Sequence, residues 1–266
     1  MGRLHIVSGL FIWFHFFFFQ SKAYYKIFVI FTFTLFEYSD ALTKPILFFT
    51  LLSLTLFSCN EKKEKVSEGI ITFGIDYPEN KDNFFLYHVL PKEMKASFKN
   101  DFMELKIKKA TMENTIVVDG KEKDICAYYD YGEIYSTNLT DNDKIVLLEK
   151  QPNYKIELTG EKDTLIGFDV LKANVINPDD PNIKFEVWYT KDIHFKNPNW
   201  FNGFDKIPGV MLKYKVIQYG MKMEFVAKKF EHVTVNDSLV TLRRPGKNVS
   251  HSEFDAKIVD LFESFK

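Results

Sequence analysis

From Gly69 to Leu242 the chain is a close succession of short runs separated by turn formers. Strands spaced this tightly have to pair mostly antiparallel, because a parallel connection needs a dozen or more residues, usually a helix. The first run, Gly69-Ile70-Ile71-Thr72-Phe73-Gly74-Ile75-Asp76-Tyr77, alternates apolar with small or polar residues and stops at Pro78, the period of a half-buried strand. Runs 102–110 and 111–118 read as a strand pair in which Glu104, Lys106 and Lys108 alternate with Met103, Leu105 and Ile107. The turn Asp119-Gly120-Lys121-Glu122 favours a hairpin into 124–131. Further runs are expected at 143–149, 154–159, 164–176, 183–190, 210–219, 222–235 and 238–242. Turns are expected at Gly160-Glu161-Lys162-Asp163, Asn177-Pro178-Asp179-Asp180-Pro181 and Asn236-Asp237. The fold class this predicts is mainly β (α+β), an antiparallel sheet with a few short helices.

Two helices are expected. Pro91 at a first helical position, with Met94, Phe98 and Phe102 at spacing four, predicts a short one over 91–98. Ser250-His251-Ser252-Glu253 is a capping-box pattern that starts a C-terminal helix, whose Phe254, Ile258, Leu261, Phe262 and Phe265 share one face. That face either packs on the sheet as core or forms a lid over a lipid-sized cavity.

The N-terminal part has a different character. Apolar runs at 10–19, 24–36 and 46–57 are each shorter than the roughly 18–20 residues a membrane-crossing helix needs. The last, behind Lys44, has the length of a signal-peptide core. It ends in Leu56-Phe57-Ser58-Cys59, which resembles the lipobox of bacterial lipoproteins. The resemblance implies cleavage between Ser58 and Cys59 and acylation of the Cys59 thiol. Glu61-Lys62-Lys63-Glu64-Lys65 then reads as a solvated tether. The expected organisation is a leader over 1–58, a lipidated tether over 59–66 and one β domain over 67–266. A signal core so far from Met1 suggests that translation begins near Leu42, at a codon such as UUG, with 1–41 an over-extended start. Asn60, standing where an aspartate would favour inner-membrane retention in such lipoproteins, points to the outer membrane.

Charge and chemistry narrow the functions. Four basic and two acidic residues precede Cys59, so the remainder carries a balance of −3, which offers no global attraction to nucleic acid. Arg243-Arg244-Pro245 is too small a basic cluster to change that. His88, His194, His232 and His251 are scattered, without metal-ligand spacing. Asp192 and His194 would share a strand face, a spacing that suits a surface pair better than a catalytic dyad. With Cys59 acylated, Cys126 is a lone thiol of the small, buried kind. No nucleophile elbow, phosphate loop or dinucleotide glycine pattern occurs, and the matches to the glycosylation acceptor pattern at Asn138, Asn236 and Asn248 are read as chance. The expectation is no enzyme, no metal and no cofactor.

The segment Phe185-Glu186-Val187-Trp188-Tyr189-Thr190-Lys191-Asp192-Ile193, followed by Asn202-Gly203-Phe204-Asp205-Lys206-Ile207-Pro208-Gly209-Val210-Met211-Leu212, is similar to a family of uncharacterised bacterial envelope proteins, the GLPGLI-like family. Lys206 replaces the first glycine of that turn. Leu165-Ile166-Gly167-Phe168-Asp169-Val170-Leu171-Lys172-Ala173 also resembles a family strand, with Val170 where cysteine is often found. Such proteins look like relatives of the outer-membrane lipoprotein carrier LolA. The resemblance implies a convoluted antiparallel sheet, an open half-barrel around an apolar cavity. On that fold Phe185, Trp188, Tyr189 and Met211 are the candidate apolar ligand surface, although Trp188 cannot share a face with both neighbours. Pro208-Gly209 reads as a tight turn with glycine at positive φ.

The function expected is a non-enzymatic, lipid-anchored protein of a Gram-negative envelope, at the outer membrane and facing the periplasm or surface. It would hold a lipid, an acyl chain or another hydrophobic ligand, or engage a protein partner. The alternative is a structural or interaction module without a ligand cavity.

Overall fold

The computed structural model describes residues 64–243 and 245–263. The chain divides into two units, 1–60 and 61–266. The leader and its lipobox Leu56, Phe57, Ser58 and Cys59 lie outside the described residues, as do Arg244 and the helix-face position Phe265.

The domain is an open twelve-stranded sheet made of two meanders. The first runs outward from the middle: β1 (Glu68–Asp76), β2 (Glu93–Lys99), β3 (Phe102–Lys109), β4 (Met112–Asp119), β5 (Asp124–Asp130) and β6 (Ile134–Asn138). The second starts at the far edge and returns: β7 (Lys155–Leu165), β8 (Phe168–Ile176), β9 (Lys184–Thr190), β10 (Val210–Gln218) and β11 (Met221–Glu231). An antiparallel β1–β11 pair joins them, with Ile75 opposite Phe225. A two-residue strand, β12 (Lys247–Asn248), adds parallel to β6 at the outer edge. Three α-helices are described: α1 (Phe84–Val89), α2 (Asp141–Glu149) and α3 (His251–Glu263).

Chain length forces this sheet to curl. Ten spacings separate β6 from β7, about 48 Å in a flat sheet at about 4.8 Å each. The connection from Asn138 to Lys155 holds the nine residues of α2 and few others, and at about 1.5 Å per helical and 3.6 Å per extended residue it reaches at most about 42 Å. The outer strands therefore bend toward each other, and α2 bridges the gap. The edges do not close, so the sheet has a concave inside and a convex outside.

The C-terminal segment grips both faces of the first meander. In β5 the side chains of Cys126 and Tyr128 face one way and those of Ile125, Ala127 and Tyr129 the other. Arg243 reaches the first side, donating to a Glu104 carboxylate oxygen at 2.7 Å and to the Tyr128 hydroxyl. Phe254 and Ile258 of α3 pack on the second side, against Ala127 and Tyr129. Between them the chain rounds the edge of the sheet at β12, where the Val249 amide donates to the Ser136 carbonyl. Glu104 is almost fully buried; burial raises its pKa, with Lys106 and Arg243 acting in the opposite direction.

Several expected elements differ. Where a helix was expected over 91–98 the chain forms β2 from Glu93: Met94, Ala96 and Phe98 are buried and Glu93 and Lys95 exposed, a period of two that a count of large residues alone overlooks because Ala96 is small. Residues 143–149 form α2, not a strand, held by a capping box between Thr140 and Asp143. The 164–176 run is split by a turn at Ile166 and Gly167, both at positive φ. Gly160-Glu161-Lys162-Asp163 is not a turn but an irregularity inside β7. Residues 238–242 are turns within the strap that carries Arg243. The Asp119-Gly120 and 177–183 hairpins lie where expected.

Candidate functional site

The inside of the curled sheet is a cavity of about 670 Å³. Both meanders build it, because alternate side chains of adjacent strands point the same way: Phe73 from β1, Met94 from β2, Leu105 and Ile107 from β3, Tyr214 from β10 and Phe225 from β11. Tyr214 stacks on Phe225 with ring centroids 4.9 Å apart. Helix α3 supplies Phe254, Ile258 and Leu261 to the lining, so its apolar face both packs on the sheet and lines the cavity. The residue after α1, Leu90, and the segment after α2, with Pro152 and Tyr154, complete the wall. Exposed side chains of Tyr131, Ile217 and Val259 also border it.

Polar groups in the lining stand in two places, Lys109, Glu113, Asn114 and Asp130 on β3 to β5, and Lys150, Gln151, Tyr219 and Asp255 where α3 meets the segment after α2. The Tyr219 hydroxyl donates to Asp255 at 3.3 Å, and Lys150 lies 3.5 Å from the same carboxylate. Burial holds the Tyr214 phenol well above its ordinary pKa. Tyr219 is raised by burial and then by the Asp255 charge. Tyr77, 2% exposed, is raised by burial and donates to the Pro91 carbonyl at 2.8 Å. These hydroxyls stay protonated, so the charge on the wall comes from Lys109, Glu113, Asp130, Lys150 and Asp255.

Of the four residues expected to form a ligand surface, only Met211 lines the cavity. Phe185 and Tyr189 belong to a separate cluster with Tyr154, Phe204 and Ile207, where the chain's own 193–209 loop covers them. Phe204 lies 5.2 Å from the Tyr154 ring and 6.2 Å from that of Phe185. Trp188 packs instead against the larger cluster around Ile71, Phe73 and Phe98, the split that strand alternation demands. Gly209 is required for a different reason from the one expected: a Cβ would stand 2.2 Å from the Thr190 carbonyl oxygen, so close approach rather than positive φ selects glycine.

The scattered histidines sit apart from this site except His251, which lines the cavity at the start of α3. No group of three or more metal-ligating side chains occurs among the described residues. Asp192 accepts a hydrogen bond from the Asp169 amide at 3.3 Å, a backbone role. Cys126 is fully buried in β5. The cavity lining itself had no motif to announce it, since its residues come from seven strands spread along the chain.

No protein-family model matches the sequence, and no curated protein matches it significantly. Among solved structures the chain is similar to PNGF-II in two space groups. One comparison gives 15% identity and a TM-score of 0.44 over 72% of this chain and 33% of that one. The other gives 19% identity and 0.46 over 74% and 33%. The chain thus spans about a third of the PNGF-II chain, and a likeness of this size assigns no function.

Proposed function

We propose that this is a non-enzymatic, lipid-anchored envelope protein that holds a hydrophobic ligand, a lipid or acyl chain, inside an open half-barrel of the LolA kind. The observation that supports it is the cavity. Its volume, about 670 Å³, falls within the roughly 300–1,000 Å³ of small-molecule sites, which are likewise mostly apolar with a few polar groups to orient the ligand. The Tyr219–Asp255–Lys150 group is the polar corner. Two or three acyl chains on Cys59 would give a stable anchor at about 0.8 kcal/mol per buried methylene, placing the domain beside a bilayer in the outer membrane. The GLPGLI-like resemblance around Phe185 and Met211 agrees with this reading.

The test is a titration of the delipidated protein with the fluorescent apolar dye ANS, followed by oleate. Saturable dye binding that oleate reverses supports the reading. Dye binding absent, or insensitive to oleate, counts against it.

One observation favours the second reading, a module that binds a protein partner. The edge strand β7 is exposed over nine of its eleven residues, and an uncovered edge is a template for strand addition. A partner that protects β7 amides from hydrogen exchange while oleate leaves the protein unaffected would establish that reading instead.

A further inference from the structure

The strands give the cavity two unlike ends. β1, β3, β5 and β10 all run in one direction, because a single antiparallel strand separates each from the next. Where these strands finish, the lining is charged: Lys109 closes β3, and Asp130 closes β5 opposite Glu113 of β4. Tyr219 follows the end of β10 in the turn to β11. Its bond to Asp255, with Lys150 at the same carboxylate, brings the α3 corner to this end too.

Where the strands begin, the lining is apolar. Met103 is the second residue of β3, Ile125 of β5 and Met211 of β10, and the Leu139 amide donates to the Ile125 carbonyl. Two side-chain amides in that part of the wall serve the chain's own loop. Asn199 donates to the Ile207 and Gly209 carbonyls, and Asn202 accepts from the Phe204 amide, all at 2.9 Å.

Such a gradient fits a ligand with one polar end. A polar head placed at the apolar end would lose its hydrogen bonds to water without replacing them, so the tail goes there and the head stays where the strands finish. Lys109 and Lys150 face Glu113, Asp130 and Asp255 at that end, a mixture that selects no single sign of head charge. The volume then counts chains. A methylene takes about the room of a water molecule, roughly 30 Å³ of liquid, so 670 Å³ holds roughly 22 non-hydrogen atoms. That is one long acyl chain and its head. A two-chain phospholipid has more than twice as many, and its second chain would stay in water at the cost of the hydrophobic effect.

Resting on the ligand-holding reading above, we propose that the occupant is a single-chain amphiphile, a fatty acid or a lysophospholipid, bound one per protein with its tail among Met103, Ile125 and Met211 and its head beside Lys109, Asp130 and Tyr219.

Three methionines serve as reporters: Met103 and Met211 at the apolar end, and Met112, the first residue of β4, at the charged one. The experiment is NMR of the delipidated protein labelled with ¹³C at its methionine methyls. It is titrated with oleate, mono-oleoyl lysophosphatidylethanolamine and dioleoyl phosphatidylethanolamine, then with stearic acid carrying a nitroxide at carbon 5 or carbon 16. The expected result is saturable one-to-one binding of a single-chain lipid, at least about tenfold tighter than the two-chain lipid. The carbon-16 label should broaden Met103 and Met211 most, and the carbon-5 label Met112. Whichever single-chain lipid binds more tightly identifies the source of the chain. A two-chain lipid bound as tightly, or a carbon-16 label that does not favour Met103 and Met211, would overturn the proposal while leaving the cavity a ligand site. Binding of none of these lipids would remove the ligand-holding reading, and the proposal with it.

Discussion

The two outer edges of the sheet are handled in opposite ways. At the β6 end the sheet is covered on both faces and along the edge: Arg243 of the strap reaches Glu104 of β3 and Tyr128 of β5 on one side, α3 packs on the other, and β12 pairs with the edge itself. At β7 no strand follows, and nine of eleven residues are exposed. The same covered half buries a carboxylate, Glu104 of β3, with Arg243 and Lys106 within reach of it. The bare edge carries Lys155, Glu157, Glu161, Lys162 and Asp163 and an irregular register around Gly160, which is at positive φ. Charges and bulges are the devices that keep an open edge from pairing at random. Coverage lets a strand bury unusual chemistry, and exposure makes it defend its hydrogen-bonding groups.

The contrast can be broken first at the centre, where both meanders depend on one core. Phe98 is fully buried and stacks near Phe230 across the β1–β11 seam, so Phe98→Ala should cost about 3–5 kcal/mol, read as a lower urea midpoint. A loss below about 1 kcal/mol would mean that the meanders are not held by a shared core. Next comes the covered side. Arg243→Ala leaves a buried carboxylate with Lys106 as its remaining cation, a loss of about 1–3 kcal/mol, accompanied by faster hydrogen exchange in α3. Unchanged exchange in α3 would show that the strap does not hold the helix.

Alkaline pH probes the same interior. The unfolded chain releases its tyrosine protons near pH 10, while Tyr77, Tyr214 and Tyr219 hold theirs to higher pH. Their contribution is intact below pH 10 and is lost as pH rises toward the raised folded values, at about 1.4 kcal/mol per pH unit per tyrosine. Tyr77→Phe should flatten that slope, and urea midpoints between pH 9 and 11 would show it. The smallest effect belongs to the bare edge: Leu158, 53% exposed, replaced by threonine should change stability by less than about 0.5 kcal/mol. A larger loss would mean that β7 is covered in solution.

What the sequence disclosed follows from the same contrast. Strands with one wet face, such as β1 and β3, announce themselves by alternation, and the Asp119-Gly120 hairpin by its turn residues. β2 was masked because Met94 and Phe98 fit a helical spacing as well as a strand's, and only small Ala96 between them decides it. α2 was masked by Ile145-Val146-Leu147-Leu148, an apolar run that resembles a strand, although Thr140 and Asp143 carried the helix-start signal. Gly160 has turn chemistry, which a bulge uses too. The candidate site was the least legible part. A curled sheet gathers Phe73, Ile107, Tyr214 and Phe254 from across the chain, and their proximity depends on which edges approach each other. Phe185 and Tyr189 stood out as large apolar residues in one strand, yet the 193–209 loop brings Phe204 and Ile207 to cover them.

The most direct test of the ligand-holding cavity is native mass spectrometry of the protein extracted from cells and freed of detergent, beside an Ala127→Phe variant. Ala127 lines the cavity and is 9% exposed, so the added ring fills space that a ligand needs. The account predicts a co-purifying lipid mass on the unmodified protein that is lost or sharply reduced in the variant. A protein that emerges ligand-free, or a variant that carries the same lipid in the same amount, would contradict it.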